Sequence, residues 1–335
     1  MSQQIRGAVI GYGGAFNMGK GHLNWMKDAG MVPTAACDLD AKRMEAAAAD
    51  FPGIRTYTTV EALLADKDVD LVTIITPHNT HSALAVQVAS AGKHVVVEKP
   101  MAISVEQCTA MIDAAKKAGT TLSVFHNRRY DGDYLALKEA IEKGLIGEVY
   151  EIHACSGGYH KPGTWWRSYK AVSGGLMYDW GAHFIDWILN LQSGRKITQV
   201  TGFLHKRVWH EVTNEDHGQI IIRFDNGSTA QLTQSTIDSA PGPRWRILGT
   251  TGALIADPSV KDGFKLIRQI DGLALSGEIH NKPTEWNTYY KDLNAHLIGE
   301  APLAVTPESA RRVISVIEAA EKSSKAGKSV EAAFE

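Results

Sequence analysis

The sequence predicts an α/β protein in two parts: an N-terminal domain on a parallel sheet, then a C-terminal α+β domain on a mainly antiparallel one. Three observations carry this. Up to about residue 125, short apolar runs alternate with amphipathic, alanine-rich segments, the pattern of βαβ units. Beyond residue 128 the apolar segments lengthen and lose their crossover helices, and Asp225-Asn226-Gly227 marks a hairpin between two of them. Finally, 335 residues are too many for one ordinary domain and comfortable for two. The division expected is 1–126 and 127–335, with the C-terminal helix able to fold back on the first domain.

In the first part, Ala8-Val9-Ile10 ends a strand at Gly11. Residues 34–37 form a second strand, closed by Asp38, and residues 69–75 a third that stops at Thr76-Pro77. Residues 94–97 and 121–125 supply two more. Helical periodicity falls on 41–50, 59–65, 82–91 and 105–117, with Gly92 and Gly119 placed to stop two of these helices. In the second part, 148–154, 197–205, 217–224, 228–236 and 244–248 read as strands, and 310–324 as a late amphipathic helix.

Composition narrows the function. Hydrophobic content of 44% and charged content of 21% describe a globular chain. With a formal net charge of −2 and no basic block, nucleic acid and anionic membrane surfaces are excluded as partners. No apolar run approaches the ~20 residues of a membrane span and no signal peptide precedes the first strand, so a cytoplasmic protein is expected. Cys37, Cys108 and Cys155 are scattered, without the spacing of a zinc site or disulfide scaffold, and read as reduced thiols.

Three segments carry chemistry. The first is Gly11-Tyr12-Gly13-Gly14-Ala15-Phe16-Asn17-Met18-Gly19. A glycine-rich turn between a strand and a helix lets the backbone approach a pyrophosphate, which the helix N-terminus then holds. Gly11, Gly13, Gly14, Ala15 and Phe16 are the expected contacts, although Phe16 stands where a third glycine usually falls. Gly19, three residues later, suggests a longer loop; a plain tight turn is the alternative. Asp38, at the end of the second strand, is placed to accept from the adenosine ribose hydroxyls and to repel a 2′-phosphate. NAD is therefore preferred, with NADP left open by the neighbouring Lys42 and Arg43. An ordinary helix-capping aspartate is the plainer reading of Asp38.

The second segment, His94-Val95-Val96-Val97-Glu98-Lys99-Pro100, is a buried strand that delivers an ammonium to its C-terminal edge. Ligands bind at that edge of open parallel sheets. Pairing of Lys99 with Glu98 is the plainer reading. In the third, on a helix at ~100° per residue, Asp179, His183, Asp186 and Asn190 form one narrow polar stripe. Asp179 and His183 can touch, which would fix the imidazole tautomer as a general acid/base needs. A solvated face is the alternative. Metal ligation is not expected, since no second ligand cluster stands out.

Together these residues resemble the glucose–fructose oxidoreductase and inositol dehydrogenase family, Gfo/Idh/MocA. The marks are the Gly11-Tyr12-Gly13-Gly14 loop, Thr76-Pro77-His78-Asn79-Thr80-His81, Glu98-Lys99-Pro100, and Asp179-Trp180-Gly181-Ala182-His183, which matches the family's Asp-x-Gly-x-His element. The resemblance spans nearly the whole chain. It implies a Rossmann domain, then an open-faced, mostly antiparallel sheet often used in oligomerisation, here as a homodimer or homotetramer. It implies an NAD(P)-dependent dehydrogenase acting on a secondary hydroxyl or keto carbon of a sugar, sugar derivative or cyclitol. Lys99 would polarise the reacting oxygen, His183 would exchange its proton, and Asp179 would orient His183. Thr76, Pro77, Asn79 and His81, with Glu98 and Lys99, would line the cofactor. Arg128, Tyr159, Trp166 and Arg167 would join Asp179 and His183 around substrate, where aromatic faces stack on sugar rings and arginine donates to oxygens. Core packing and surface salt bridges are the plainer readings of those side chains. An NAD-dependent glycosidase working through transient oxidation and elimination is the competing activity, and a nucleotide-binding regulatory module a third.

Overall fold

The computed structural model describes residues 4–14 and 17–333, so Ala15 and Phe16 lie outside the described residues. The chain divides into two compact units, residues 1–127 with 286–311, and residues 128–285 with 312–335.

The first unit alternates strand and helix: β1 (Arg6–Ile10), α1 (Met18–Asp28), β2 (Val32–Cys37), α2 (Ala41–Asp50), β3 (Arg55–Tyr57), α3 (Val60–Leu64), β4 (Leu71–Ile74), α4 (His81–Ser90), β5 (His94–Val97), α5 (Val105–Ala118) and β6 (Leu122–Val124). The strands form one parallel sheet in the order β3-β2-β1-β4-β5-β6. Val9, Val72, Val95, Val96 and Val97 are buried, as strands covered on both faces require. Strand order reverses between β1 and β4, so Gly11 and Thr76 leave the sheet side by side at its switch point, where open α/β sheets bind ligands. Sequence reading missed β3, because Arg55-Thr56-Tyr57 carries no apolar run at this sheet edge.

The second unit contains α6 (Gly132–Glu142), β7 (Val149–Gly157), α7 (Lys170–Ser173), α8 (Trp180–Leu191), β8 (Ile197–His205), β9 (His217–Phe224), β10 (Thr229–Ser235), β11 (Trp245–Gly249), β12 (Gly252–Ile255), β13 (Gly263–Ile270) and β14 (Leu273–His280). Its strands form an eight-stranded sheet, β14-β13-β12-β11-β7-β10-β9-β8, antiparallel except for β7 with β10. Along β9, β10 and β11 buried residues alternate with partly exposed ones, so one face is covered. Phe184 and Trp187 of α8 meet Trp245 of β11 on that face. Strands β12 to β14 were not anticipated: β14 is exposed along nearly all its length and shows no inward face to read.

Two more helices, α9 (Thr288–Leu297) and α10 (Pro307–Ala326), complete the chain. The segment 286–311, with α9, belongs to the first unit, where the Tyr289 hydroxyl donates to Ser123 Oγ at 2.8 Å. From Arg312 onward α10 belongs to the second. Helix α10 thus begins in the first unit, where Glu308 pairs with Lys116 and Arg311 donates to Thr109, and continues in the second. Its partner there is β8, where a Cβ on Gly202 would stand 2.1 Å from Ala320 O, and Gly202 N–H donates to Ser323 Oγ at 3.0 Å. Among the described residues no helix is long and apolar enough to cross a membrane, and no three His, Cys, Asp or Glu side chains gather as a metal site.

Candidate active site

In the first unit the loop after β1 is built for close approach. Gly11 has φ +94°, and a Cβ there would stand 2.3 Å from Ile75 O. A Cβ on Gly13 would strike the Arg43 side chain at 2.6 Å. A Cβ on Gly14, at φ +107°, would meet nothing within 4 Å among the described residues, so that side of the glycine is open. Gly19, at the start of α1, is buried, and a Cβ on it would lie 2.7 Å from Tyr12 Cα. It supplies the tight helix–strand contact usually made by the third glycine, three positions later than normal. Open glycine backbone beside a helix N-terminus fits a pyrophosphate.

Asp38 is almost buried. Its carboxylate accepts from Tyr12 N–H at 2.9 Å, Asp40 N–H at 3.0 Å and Arg43 Nη1 at 3.2 Å. Burial opposes its ionisation, but the Asp40 and Tyr12 amides and the Arg43 guanidinium together hold its carboxyl below the ordinary range. The capping role expected for this segment falls instead to Asp40, whose side chain accepts from Lys42 N–H. A half-exposed arginine beside the carboxylate alters the argument for NAD over NADP, because Arg43 offers a 2′-phosphate a partner.

At the end of β4, Thr76 Oγ1 lies 2.6 Å from Thr80 Oγ1, which donates to Pro77 O at 2.7 Å. This closes the turn that carries Pro77 and Asn79. His81 departs from expectation. It is fully buried, with one ring nitrogen 2.9 Å from Thr76 O and the other 2.9 Å from Pro100 O. Burial pushes its pKa down, and a neutral ring donates to one carbonyl at a time. His81 therefore braces the Thr76 turn and the Lys99-Pro100 turn from within and cannot face a cofactor.

Glu98 is likewise turned inward. Oε1 lies 3.1 Å from His22 Nε2, and Oε2 accepts Lys99 N–H at 3.0 Å. Behind it, His22 Nδ1 lies 2.7 Å from the Tyr290 hydroxyl, itself 2.9 Å from Thr73 Oγ1. Burial opposes the Glu98 charge, yet the His22 hydrogen bond and the nearby Lys99 keep its pKa below the usual carboxylate range. Glu98 thus fixes the Lys99 backbone and ties it to His22.

In the second unit Asp179 is the N-cap of α8, but its side chain does not cap. Oδ1 accepts from Arg167 Nη1 at 3.0 Å, and the Arg167 guanidinium lies over Trp166 at 4.8 Å and Trp165 at 5.4 Å. His183, one turn into α8, is buried between Trp180, 5.7 Å away, and Trp187, 6.2 Å away. The stripe does not remain a solvated face. Asp186, 3% exposed, receives Arg129 through Nε at 2.8 Å and Nη2 at 2.5 Å. Arg128, expected near substrate, donates to Asp131 at 2.9 Å and lies 4.4 Å above Trp180. A cavity of about 380 Å³ opens here, with Arg167, Asp179 and Trp180 in its wall. Tyr159 and Trp166 are outside that lining, and Tyr159 leans on Trp209 instead.

Residues 5–126 match the profile described as an oxidoreductase family with an NAD-binding Rossmann fold, and residues 134–255 match the GFO/IDH/MocA C-terminal domain. The chain belongs to the Gfo/Idh/MocA oxidoreductase family. Among its relatives, the scyllo-inositol 2-dehydrogenase (NADP(+)) IolW of Bacillus subtilis is 28% identical over 96% of this chain and 94% of its own. The myo-inositol 2-dehydrogenase of Thermotoga maritima is 28% identical over 76% and 75%. A solved NAD-binding protein from Listeria innocua superposes with a TM-score of 0.86 at 30% identity, covering 98% of this chain and 97% of that one. The chain is thus an NAD(P)-dependent oxidoreductase.

Sequence reasoning missed His22 and Tyr290, which support the Glu98-Lys99-Pro100 motif from elsewhere in the chain. It also missed Gln234 of β10, for which a signal existed. Ala230, Leu232 and Gln234 share one buried face, and a lone amide in such a row asks for a reason.

Proposed function

We propose that this oxidoreductase acts on a secondary hydroxyl or keto carbon of a neutral sugar or cyclitol. The observation that carries this is the pairing, in one chain, of an open glycine cradle and Glu98-Lys99-Pro100 with an Asp179-x-Gly181-x-His183 helix lining a cavity walled by tryptophan. The inositol dehydrogenases among its relatives support a polyol. A bound nicotinamide dinucleotide supplies the carbon that accepts or returns hydride. Gly11, Gly13 and Gly14 would hold its pyrophosphate, and Asp38 with Arg43 its adenosine ribose.

Lys99 stabilises the oxygen of the reacting carbinol as negative charge develops, its backbone fixed by Glu98. His183 Nδ1 or Nε2 takes that hydroxyl's proton and returns it in the reverse direction. Asp179, held by Arg167, positions the first turn of the helix that carries His183. NADP is accepted alongside NAD, because Arg43 lies on the exposed side of Asp38. The exposed Leu273 and Leu275 of β14 support self-association of the second unit as a dimer or tetramer.

The test is a spectrophotometric screen of the pure protein with NAD and, separately, NADP against inositols, aldoses, sugar acids and aryl glycosides. Reduction of either cofactor by a neutral polyol is the expected result. Reduction only by sugar acids would overturn the substrate class. Cleavage of aryl glycosides without accumulation of reduced cofactor would move the chain to the elimination chemistry.

A further inference from the structure

The cavity of the second unit is lined by a buried acceptor, Gln234 Oε1, that has no hydrogen-bond partner among the described residues. Most of the polar side chains around it are spent internally. Asn214 accepts from Ser173 Oγ at 3.0 Å and donates to Arg167 O at 2.7 Å. Glu215 receives Lys170 at 2.5 Å. Ser168 donates to Gly163 O at 2.5 Å, and Thr236 to Asp216 O at 3.2 Å. Gln234 differs. The residue is 7% exposed, it lines the cavity, and its Oε1 is buried with no hydrogen-bond partner among the described residues.

An unsatisfied buried carbonyl oxygen is rare, because the lost water contact is costly. Its position gives the reason. A Cβ built on Gly181 would stand 3.1 Å from Gln234 Oε1, so this oxygen looks onto the first turn of α8, between Asp179 and His183 in sequence. The absence of a side chain at Gly181 leaves that acceptor uncovered. About 380 Å³ is room for a ring of sugar size.

We propose that Gln234 is a specificity-determining residue, its Oε1 accepting a hydrogen bond from a hydroxyl of the bound polyol, on a group other than the reacting carbinol. An amide oxygen accepts and cannot donate, so a hydroxyl fits this place, whereas an ether oxygen, a methylene or a carboxylate does not. The inference rests on the polyol dehydrogenase reading and sharpens it. A site built to pair with one hydroxyl rejects the analogue that lacks it, because the buried acceptor is then left unpaired.

The experiment compares the wild type with Gln234→Met, which keeps the length and removes the acceptor, and Gln234→Glu, which keeps an oxygen. The probes are myo-inositol, scyllo-inositol, D-glucose and their monodeoxy analogues, followed by cofactor reduction and by calorimetric binding. An unchanged circular dichroism spectrum and unfolding midpoint in both variants shows that each is folded. In the wild type, kcat/KM for one monodeoxy analogue is expected to fall about 30-fold below its parent. Gln234→Met should lose a similar factor on the parent and treat parent and analogue alike, while Gln234→Glu recovers the discrimination. Equal discrimination in the wild type and Gln234→Met overturns the role of Gln234 and leaves the dehydrogenase reading standing. Polyol binding that needs Gln234 but gives no cofactor reduction sustains the subsite and overturns the dehydrogenase reading. Neither binding nor turnover of any probe overturns both.

Discussion

The two units use polar groups in opposite ways. In the first unit, Asp38, His81 and Glu98 hydrogen-bond to backbone groups, with Arg43 and His22 as further partners of the two carboxylates, so special residues fix the path of the main chain. In the second, side chains line the cavity: Arg167 pairs with Asp179, and Gln234 Oε1 has no hydrogen-bond partner among the described residues. The pyrophosphate is common to NAD and NADP, and backbone recognition suits an invariant group. A variable substrate calls for side chains, which change without disturbing the fold.

The largest test of this contrast is Lys99→Ala. Turnover of the best polyol should fall on the order of 10³-fold while NADPH affinity, read by fluorescence titration, stays within about threefold. Loss of nucleotide affinity instead would make Lys99 part of the backbone-fixing machinery. Next is Arg129→Met, which strands the buried Asp186. Urea unfolding should show about 3 kcal/mol of lost stability, and a loss under about 1 kcal/mol would mean the pair is not a desolvated brace.

A smaller effect is expected at Asp216, which accepts from Lys206 Nζ at 2.8 Å and from Arg207 and Val208 N–H, each at 2.6 Å. Burial works against its charge, but Lys206 and these amides outweigh it and lower its pKa from 3.8 to about 2. A depressed carboxyl stabilises the fold fully above its unfolded value and loses that contribution as pH falls through its folded one. Asp216→Asn should cost about 2 kcal/mol at neutral pH and flatten the acid decline between 3.8 and about 2, followed by circular dichroism. An unchanged acid limb would assign that decline to other carboxyls. Smallest is Arg43→Ala, expected to reduce kcat/KM for NADP about tenfold while sparing NAD. Equal losses on both would place Arg43 in support of Asp38 alone.

Legibility followed the same division. Helix α2 and strands β5, β8 and β9 were readable to the residue, since their periodicity or β-branched content is set by burial on a known number of faces. Glycines at Gly11 and Gly14 announced themselves because positive φ excludes most residues. What could not be read was partnership across sequence. Nothing near Glu98 says that its carboxylate meets His22, nor that Tyr290, almost two hundred residues on, closes that network. Strand β14 was invisible for the converse reason, having neither face buried.

The return of residues 286–311 to the first unit has a consequence for how the chain is made. Tyr290 reaches His22 and Thr73 only after the ribosome has produced the whole of 128–285. At ~5–20 residues per second, roughly 160 residues of intervening chain delay that closure by about 10–30 s. Through that interval the nascent nucleotide unit lacks the tyrosine that its buried histidine and threonine await. A chain terminated before residue 286 would lose that tyrosine altogether, so early truncation damages the half that was synthesised first.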